Sequence, residues 1–363
     1  MLKKSLRAAV LLGAVALATT ACGSTSDSAA PGPSAPSPSS SGATPAPVPT
    51  SVARMKILMF DDDSVQGVKP NGSDGLGLYR MRQALCRAGA DVLVVGPWTV
   101  QSGQGSRLTL TGTATVQEVK PPPGFDADCA GAPSAGKVFG VCTSAAPCVA
   151  PSGTEPGSQS ASPTDAANIA LKKFIPDNYW KDGPDLVVSG INYGQNDAVN
   201  VVGSGTVNAA LAAHRSGKPA IAVSEEATVG CLTSGTDCPE YTRAADFTVN
   251  LINQLAADNM ITSQTFLNVN YPHLAPGEQP REPKLGVLGN CSSLNVGPTG
   301  TVGPDGGTYT LTMLPACKDT TANADVLALA DKHISVVQLD GDWTAPSTSA
   351  DNDKLEGVLR KVK

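Results

Sequence analysis

The chain has no lysine–arginine run, few aromatic residues, three histidines and no apolar stretch long enough for an ordinary membrane span. Each shortage removes a class of function. A nucleic-acid groove needs a basic track or aromatic platforms on which bases stack. Here aromatics are 4% of residues and the net charge is −6, so no nucleic-acid partner is expected. His214, His273 and His333 are too few for histidine-rich zinc chemistry, and no Gly-x-Ser-x-Gly elbow marks a serine hydrolase. A small anionic substrate held by a hard cation and backbone amides remains compatible with this composition.

The first fifty residues read as an address and a tether. Lys3, Lys4 and Arg7 precede the apolar run from Ala8 to Ala18, and small residues lead to Cys22. A basic head, a short apolar stretch and small residues before a cysteine describe a lipoprotein export signal over 1–21, with Cys22 as the acylated residue. Residues 22–52 are almost entirely Ser, Pro, Ala, Gly and Thr, too poor in apolar surface to offset ordering entropy. The expectation is a domain over 53–363, held by its lipid at the outer face of a bacterial cytoplasmic membrane. Cys86, Cys129, Cys142, Cys148, Cys231, Cys238, Cys291 and Cys317 follow, and an even count in an exported chain favours disulfides. Cys231–Cys238 and Cys291–Cys317 are the expected pairs, with the rest tying the Cys129–Cys148 loop to itself and to Cys86.

Short apolar runs alternate with helical periodicity. Strands are expected at Lys56–Phe60, Asp91–Val95, Asp185–Ser189, Ala220–Ser224 and Phe266–Asn270, with Gly96-Pro97 stopping the second. Helices are expected at Leu78–Ala88, Pro163–Phe174, Thr206–His214 and Ala244–Ala257. That alternation predicts an α/β fold, a three-layer, Rossmann-like and mostly parallel sheet flanked by helices. Residues 112–162 look like a disulfide-tied insertion, residues 285–312 like a β-hairpin arm, and the residues from Trp343 onward like a polar tail.

Asp61, Asp62 and Asp63 end the first buried strand. Three adjacent carboxylates repel one another, and a hard divalent cation relieves that repulsion. A solvated acidic turn is the alternative. Ser102 and Gly103 follow the second strand, and the block from Ser189 to Asn196 follows the third. Gly203, Ser204, Gly205 and Thr206 open a helix, whose free N–H groups suit a phosphate. In open α/β sheets ligands bind beyond the carboxyl ends of strands, where these residues fall.

In those segments the chain resembles the SurE survival proteins, metal-dependent 5′/3′-nucleotidases. The resemblance rests on residues 57–64, Gln101-Ser102-Gly103, Ser162-Pro163-Thr164-Asp165, residues 184–194, Ser204–Val207, Leu267–Pro272, and Ala324-Asp325 through Ile334–Val336. It implies Asp62 and Asp63 as catalytic acids and Asp62, Asp63, Ser102 and Asn192 as ligands of a divalent cation, magnesium or manganese. It implies Asn196, Ser204, Gly205 and Thr206 around the phosphate of a small phosphomonoester, a nucleoside 5′- or 3′-monophosphate. A homodimer or tetramer built through the arm and tail is also implied. The pattern is broken where Asp61 stands for Asn, Ser64 for Gly, Gln101 for a basic residue and Lys332-His333 for a Gly-aromatic pair, and the loop from Val65 to Gly77 is longer. Two rival readings stay open. One is a haloacid-dehalogenase-type phosphatase with Asp61 as nucleophile, the other a non-catalytic lipoprotein that binds metal or ligand on the same fold.

Overall fold

The computed structural model describes residues 49–361 apart from 68–74, 151, 153–156, 229, 232–237, 294, 316, 343–353, 355 and 357. The export signal, Cys22, nearly all of the tether, part of the long loop after Val65 and most of the tail lie outside the described residues.

The first strand explains the layering. In β1 (Lys56–Phe60), Ile57 and Met59 join one apolar cluster and Leu58 and Phe60 another. Side chains alternate faces along a strand, so a strand apolar on both faces must be covered on both. One cover is α1 (Leu76–Arg87), which packs Leu78, Met81 and Leu85 inward with α5 (Thr242–Ala257) beside it. The other is α2 (Pro163–Ile169) and α4 (Gly205–Arg215), whose alanines allow close approach to the sheet.

The remaining strands are β2 (Asp91–Pro97), β3 (Thr115–Val119), β4 (Val138–Cys142), β5 (Leu186–Tyr193), β6 (Ala220–Glu225), β7 (Phe266–Tyr271), β8 (Arg281–Gly286), β9 (Val296–Thr299), β10 (Thr310–Met313) and β11 (His333–Gln338). Among the described residues nine of these form one sheet, ordered β3-β4-β2-β1-β5-β6-β7-β11-β8. Pairing is parallel from β4 across to β7 and antiparallel where β3 meets β4 and β11 meets β7. From β1 the chain winds outward to β2, then returns to lay β5 on the other side of β1. The β1–β5 junction is thus the switch point of the sheet, where a crevice opens beyond the strand ends.

The disulfide-tied insertion expected at 112–162 contributes two strands to the sheet. It supplies β3 and the wholly buried β4. Because β4 pairs with β2 through Gly96 and Pro97, those residues extend β2 where a stop was expected. The arm is shorter than expected. Only β9 and β10 pair as a hairpin, in register from Val296–Met313 to Thr299–Thr310, while Leu285 and Gly286 lie in β8 of the main sheet. The helix expected through Phe174 also changes form. After α2 a π-turn spans Ala170–Phe174 before α3 (Ile175–Asn178), and the Ile175 N–H reaches back to the Ala170 carbonyl. Pro176 has no N–H to complete an α-helical bond there, so the ladder is displaced. A short helix, α6 (Asp325–Ala330), precedes β11.

The disulfides are Cys86–Cys129, Cys142–Cys148, Cys231–Cys238 and Cys291–Cys317; the last two are the expected pairs, and the first two tie the Cys129–Cys148 loop to Cys86 and to itself. Among the described residues no helix is long and apolar enough to cross a membrane.

Candidate functional site

The chain leaves β1 through Asp61, Asp62 and Asp63, all buried. They do not act alike. The Asp63 N–H donates to Asp61 Oδ1 at 3.1 Å, so Asp61 closes the turn. Asp63 Oδ2 accepts the N–H of Tyr193 at 2.6 Å, which pins the end of β5 to the end of β1. Asp62 Oδ1 accepts the Thr206 hydroxyl at 2.5 Å, and its carbonyl accepts the Gln101 N–H at 2.8 Å. Asp62 is thereby held to both the Ser102 turn and the start of α4.

A cleft of about 320 Å³ opens at this junction, lined among others by Asp62, Ser102, Asn192, Asn196, Asn200 and Ser204. Three separate strand ends and one helix start therefore meet at a single opening. Asp61 and Asp63 stand behind its wall. Among the described residues no three His, Cys, Asp or Glu side chains converge as a metal cage, so the acidic triplet does not form one. The donors that do converge are mixed hard oxygens, a carboxylate with hydroxyl and amide groups. Such a set suits magnesium, manganese or calcium.

The helix start is built for close approach. Ser204 Oγ accepts the Val207 N–H at 3.1 Å, an N-cap that shapes the first turn of α4. A Cβ on Gly205 would lie 2.4 Å from the Asp62 Cβ, so only glycine allows the helix to meet that carboxylate. Gly205 and Thr206 lie behind Ser204, with Thr206 fully buried against Asp62. The Thr206 hydroxyl thus holds Asp62, while Gly205 brings the helix backbone against it. The Ser102 turn has its own brace. Thr164 Oγ1 donates to the Gly105 carbonyl at 2.5 Å, and Asp165 accepts both the N–H and the hydroxyl of Thr109.

Asn196 is clamped deep in the crevice. Its N–H donates to Asn270 Oδ1, its Nδ2 to Ser224 Oγ, and its carbonyl accepts from both Asn268 and Asn270. Sequence reading did not assign Asn268 and Asn270 a role. The signal was present, because two asparagines two apart put polar groups on one face of the otherwise apolar β7. It also missed Asp197, which accepts hydroxyl bonds from Ser292 and Ser293, residues nearly a hundred positions away. Burial pushes the Asp197 carboxyl up, and these serine bonds pull it back. Asp325 likewise accepts the N–H groups of Ala198 and Gly289, both at 2.9 Å. The histidines stay outside the site. His214 stacks on Phe266 and His333 bonds the Glu282 carbonyl.

Two local features carry tests. Ser64 has φ of +87°, in the left-handed region that favours glycine. Its Oγ accepts only a long bond from the Gln66 N–H, at 3.2 Å. Relief of roughly 1–2 kcal/mol of backbone strain outweighs the roughly 0.5–1 kcal/mol of chain entropy that glycine adds when unfolded. Ser64→Gly is expected to raise unfolding stability in urea by up to about 1 kcal/mol. A loss of stability would show that the Ser64 hydroxyl matters more than the strain.

At the end of β6, burial and then the nearby Glu240 carboxylate push the Glu225 carboxyl from the ordinary 4.5 up to about 7. The folded state therefore holds this proton more tightly than the unfolded chain. Its contribution is complete below about pH 4.5 and is lost as pH rises through about 7, a swing on the order of 3 kcal/mol. Glutamine would keep the acceptor that Glu225 offers to the Tyr241 N–H. Glu225→Gln is expected to stabilise the protein by about 1–3 kcal/mol at pH 8, with the gain shrinking toward pH 4. Parallel melts across pH check this, and a gain independent of pH would contradict it.

Comparison with known proteins supplies the lineage. Residues 57–290 match the family model described as survival protein SurE. The 5′-nucleotidase SurE of Xylella fastidiosa (strain M12) is 30% identical over 236 residues, covering 65% of this chain and 71% of that protein. Its counterpart in Geotalea uraniireducens is 32% identical over 238 residues, covering 66% and 73%. The crystal structure of the SurE protein from Aquifex aeolicus, 21% identical, superposes with a TM-score of 0.58 over 83% of this chain and 99% of that one, a likeness of fold. With that match spanning β1 to the residues after β8, and so every strand end around the cleft, the chain belongs to the SurE family.

Proposed function

We propose that this protein is a metal-dependent phosphomonoesterase that hydrolyses nucleoside monophosphates. One observation carries the reading: Asp62, Ser102, Asn192 and the Ser204 helix start share one cleft at the switch point of the sheet. The names of the SurE relatives, 5′-nucleotidases, support the same chemistry.

In this reading Asp62, Ser102 and Asn192 would hold a divalent cation at the cleft wall, with Asp63 directly behind them as the second carboxylate of the set. That cation would supply charge compensation for the phosphoryl oxygens and lower the pKa of a water. The chain's own residues supply the rest. Thr206 and Gly205 fix Asp62 against the helix, and Asp63 fixes the end of β5 that carries Asn192. The N-terminus of α4 turns its partial positive charge toward the anion. Asn192 Nδ2 donates to the Gly194 carbonyl at 2.6 Å, which sets the orientation of its amide. Asn196 is held by four hydrogen bonds, so it can meet a phosphate without reorganising.

The rival use of Asp61 as a nucleophile is opposed by its placement. Asp61 is fully buried, closes the turn onto Asp63, and stands off the cleft wall. The deciding experiment is phosphate release from a panel of 5′- and 3′-nucleoside monophosphates with magnesium, manganese or chelator. Release that needs metal supports the reading. No release with any metal, from folded and oxidised protein, would favour a binding protein on this scaffold. Acylation at Cys22 and export belong to the same proposal, and a Cys22→Ala chain that still partitions with membranes would count against them.

A further inference from the structure

A second network reaches the cleft through Gln195 and Asn200, and its hydrogen bonds run in one direction. Ser292 Oγ donates to Asp197 Oδ1 at 2.6 Å, and Ser293 Oγ donates to Asp197 Oδ2. A carboxylate accepts only, so both hydroxyls must point their protons at Asp197. Each serine oxygen is then an acceptor. Asn200 Nδ2 donates to Ser292 Oγ at 2.6 Å, and Gln195 Nε2 donates to Ser293 Oγ at 2.8 Å. One buried carboxylate thus dictates which way round two amide side chains lie. Gln195 is fixed at its other end as well, because its Oε1 accepts the Ala227 N–H at 3.3 Å.

Gln195 and Asn200 both line the cleft that holds Asp62, Ser102 and Asn192. Val296, at the root of the arm, adds apolar surface to the same opening. The segment that carries the serines is itself restrained. Cys291 is bonded to Cys317, its N–H donates to Asp319 Oδ2 at 2.9 Å, and the Gly289 N–H donates to Asp325 Oδ1 at 2.9 Å. A wall with oriented amides and an apolar neighbour matches an ester group that has both polar substituents and a flat apolar face. A nucleoside has both, whereas a simple phenyl group has only the second.

We propose that Asp197 is a positioning residue which, through Ser292 and Ser293, orients Gln195 and Asn200 and makes that wall the selectivity determinant for the nucleoside part of the substrate. This rests on the phosphomonoesterase reading above. Ser292 and Ser293 stand behind the wall, so altering them should change recognition of the organic group and spare the phosphate end.

The test compares kcat and KM of the oxidised protein for a nucleoside 5′-monophosphate and for phenyl phosphate, at saturating manganese. The double variant Ser292→Ala/Ser293→Ala is expected to raise KM for the nucleotide about tenfold with kcat within about twofold. Phenyl phosphate kinetics should not move. Ser293→Thr, which keeps the hydroxyl, should behave as the parent. Equal loss of kcat on both esters would mean a merely structural role and would overturn the proposal, as would an unchanged nucleotide KM. If the double variant fails to fold, the single variants Ser292→Ala and Ser293→Ala carry the same comparison. A parent that turns over neither ester would overturn the phosphomonoesterase reading, and this inference with it. A parent active on both, with variants of unchanged selectivity, would overturn this inference alone.

Discussion

Asp63→Asn is expected to give a folded protein that releases phosphate on the order of 10³-fold more slowly than the parent. Asp63 serves the site in two ways, and this substitution separates them. Its Oδ2 accepts the Tyr193 N–H at 2.6 Å, one residue after Asn192, so it sets where β5 ends relative to β1. In the proposed mechanism it also brings negative charge to the cation. Asparagine keeps the volume and an acceptor oxygen for Tyr193 but loses the charge. Asp63→Ala loses both, and should be as inactive while also less stable by roughly 1–3 kcal/mol, the cost of a buried N–H without an acceptor. Phosphate release, a manganese titration and urea unfolding on the pair resolve the two roles. Activity of the asparagine variant within tenfold of the parent would move the chemistry away from Asp63.

Removing the Cys86–Cys129 bridge is expected to cost about 4 kcal/mol of stability and nothing in activity at 25 °C. The bridge spans 43 residues, and closing a loop of that length removes about 4 kcal/mol of unfolded-state freedom. The native state has a second restraint on the same segment. Arg82, one turn earlier on α1 and fully buried, donates to the carbonyls of Gly136, Phe125 and Asp128 at 2.6 to 2.9 Å. Cys86→Ser/Cys129→Ser should therefore keep its native shape. Its loss would lie in a more expanded unfolded chain, seen as a lower urea midpoint with a steeper m-value. The bridge sits near the start of β2, at the edge of the sheet opposite the cleft, so kcat and KM should be unchanged. A cost below about 1 kcal/mol would show that the unfolded chain stays compact without the bridge.

The parts of the fold that were legible in the sequence are those dictated by local pattern. Lys56–Phe60 could be read as a buried strand because an apolar run with no polar face must be covered on both sides. Pro163 after Ser162 marked a helix start, and Ser162 Oγ does accept the Asp165 N–H at 3.0 Å. The strand ends bearing Asp62, Ser102 and Asn192 were likewise placed, because parallel strands all present their carboxyl ends to one edge. Val138–Cys142 escaped notice, since a five-residue apolar strand set among glycine, proline and cysteine has too short a period to stand out. The π-turn at Ala170–Phe174 was hidden for a related reason. The apolar spacing there is helical, and the proline that alters the hydrogen bonding comes after it.

The sequence by itself determined the layered α/β class, the Cys231–Cys238 and Cys291–Cys317 pairs and the edge of the sheet at which chemistry gathers. All of these follow from periodicity and spacing between near neighbours. Only the tertiary structure decided the division of labour within the acidic triplet, with Asp62 on the wall, Asp63 holding Tyr193 and Asp61 closing the turn. It alone paired Asp197 with Ser292 and Ser293, and Asn196 with Asn268 and Asn270. The physical reason is the same in each case. A hydrogen bond is decided by distances of a few tenths of an ångström between groups brought together by packing, and residues remote along the chain carry no local signature of that meeting.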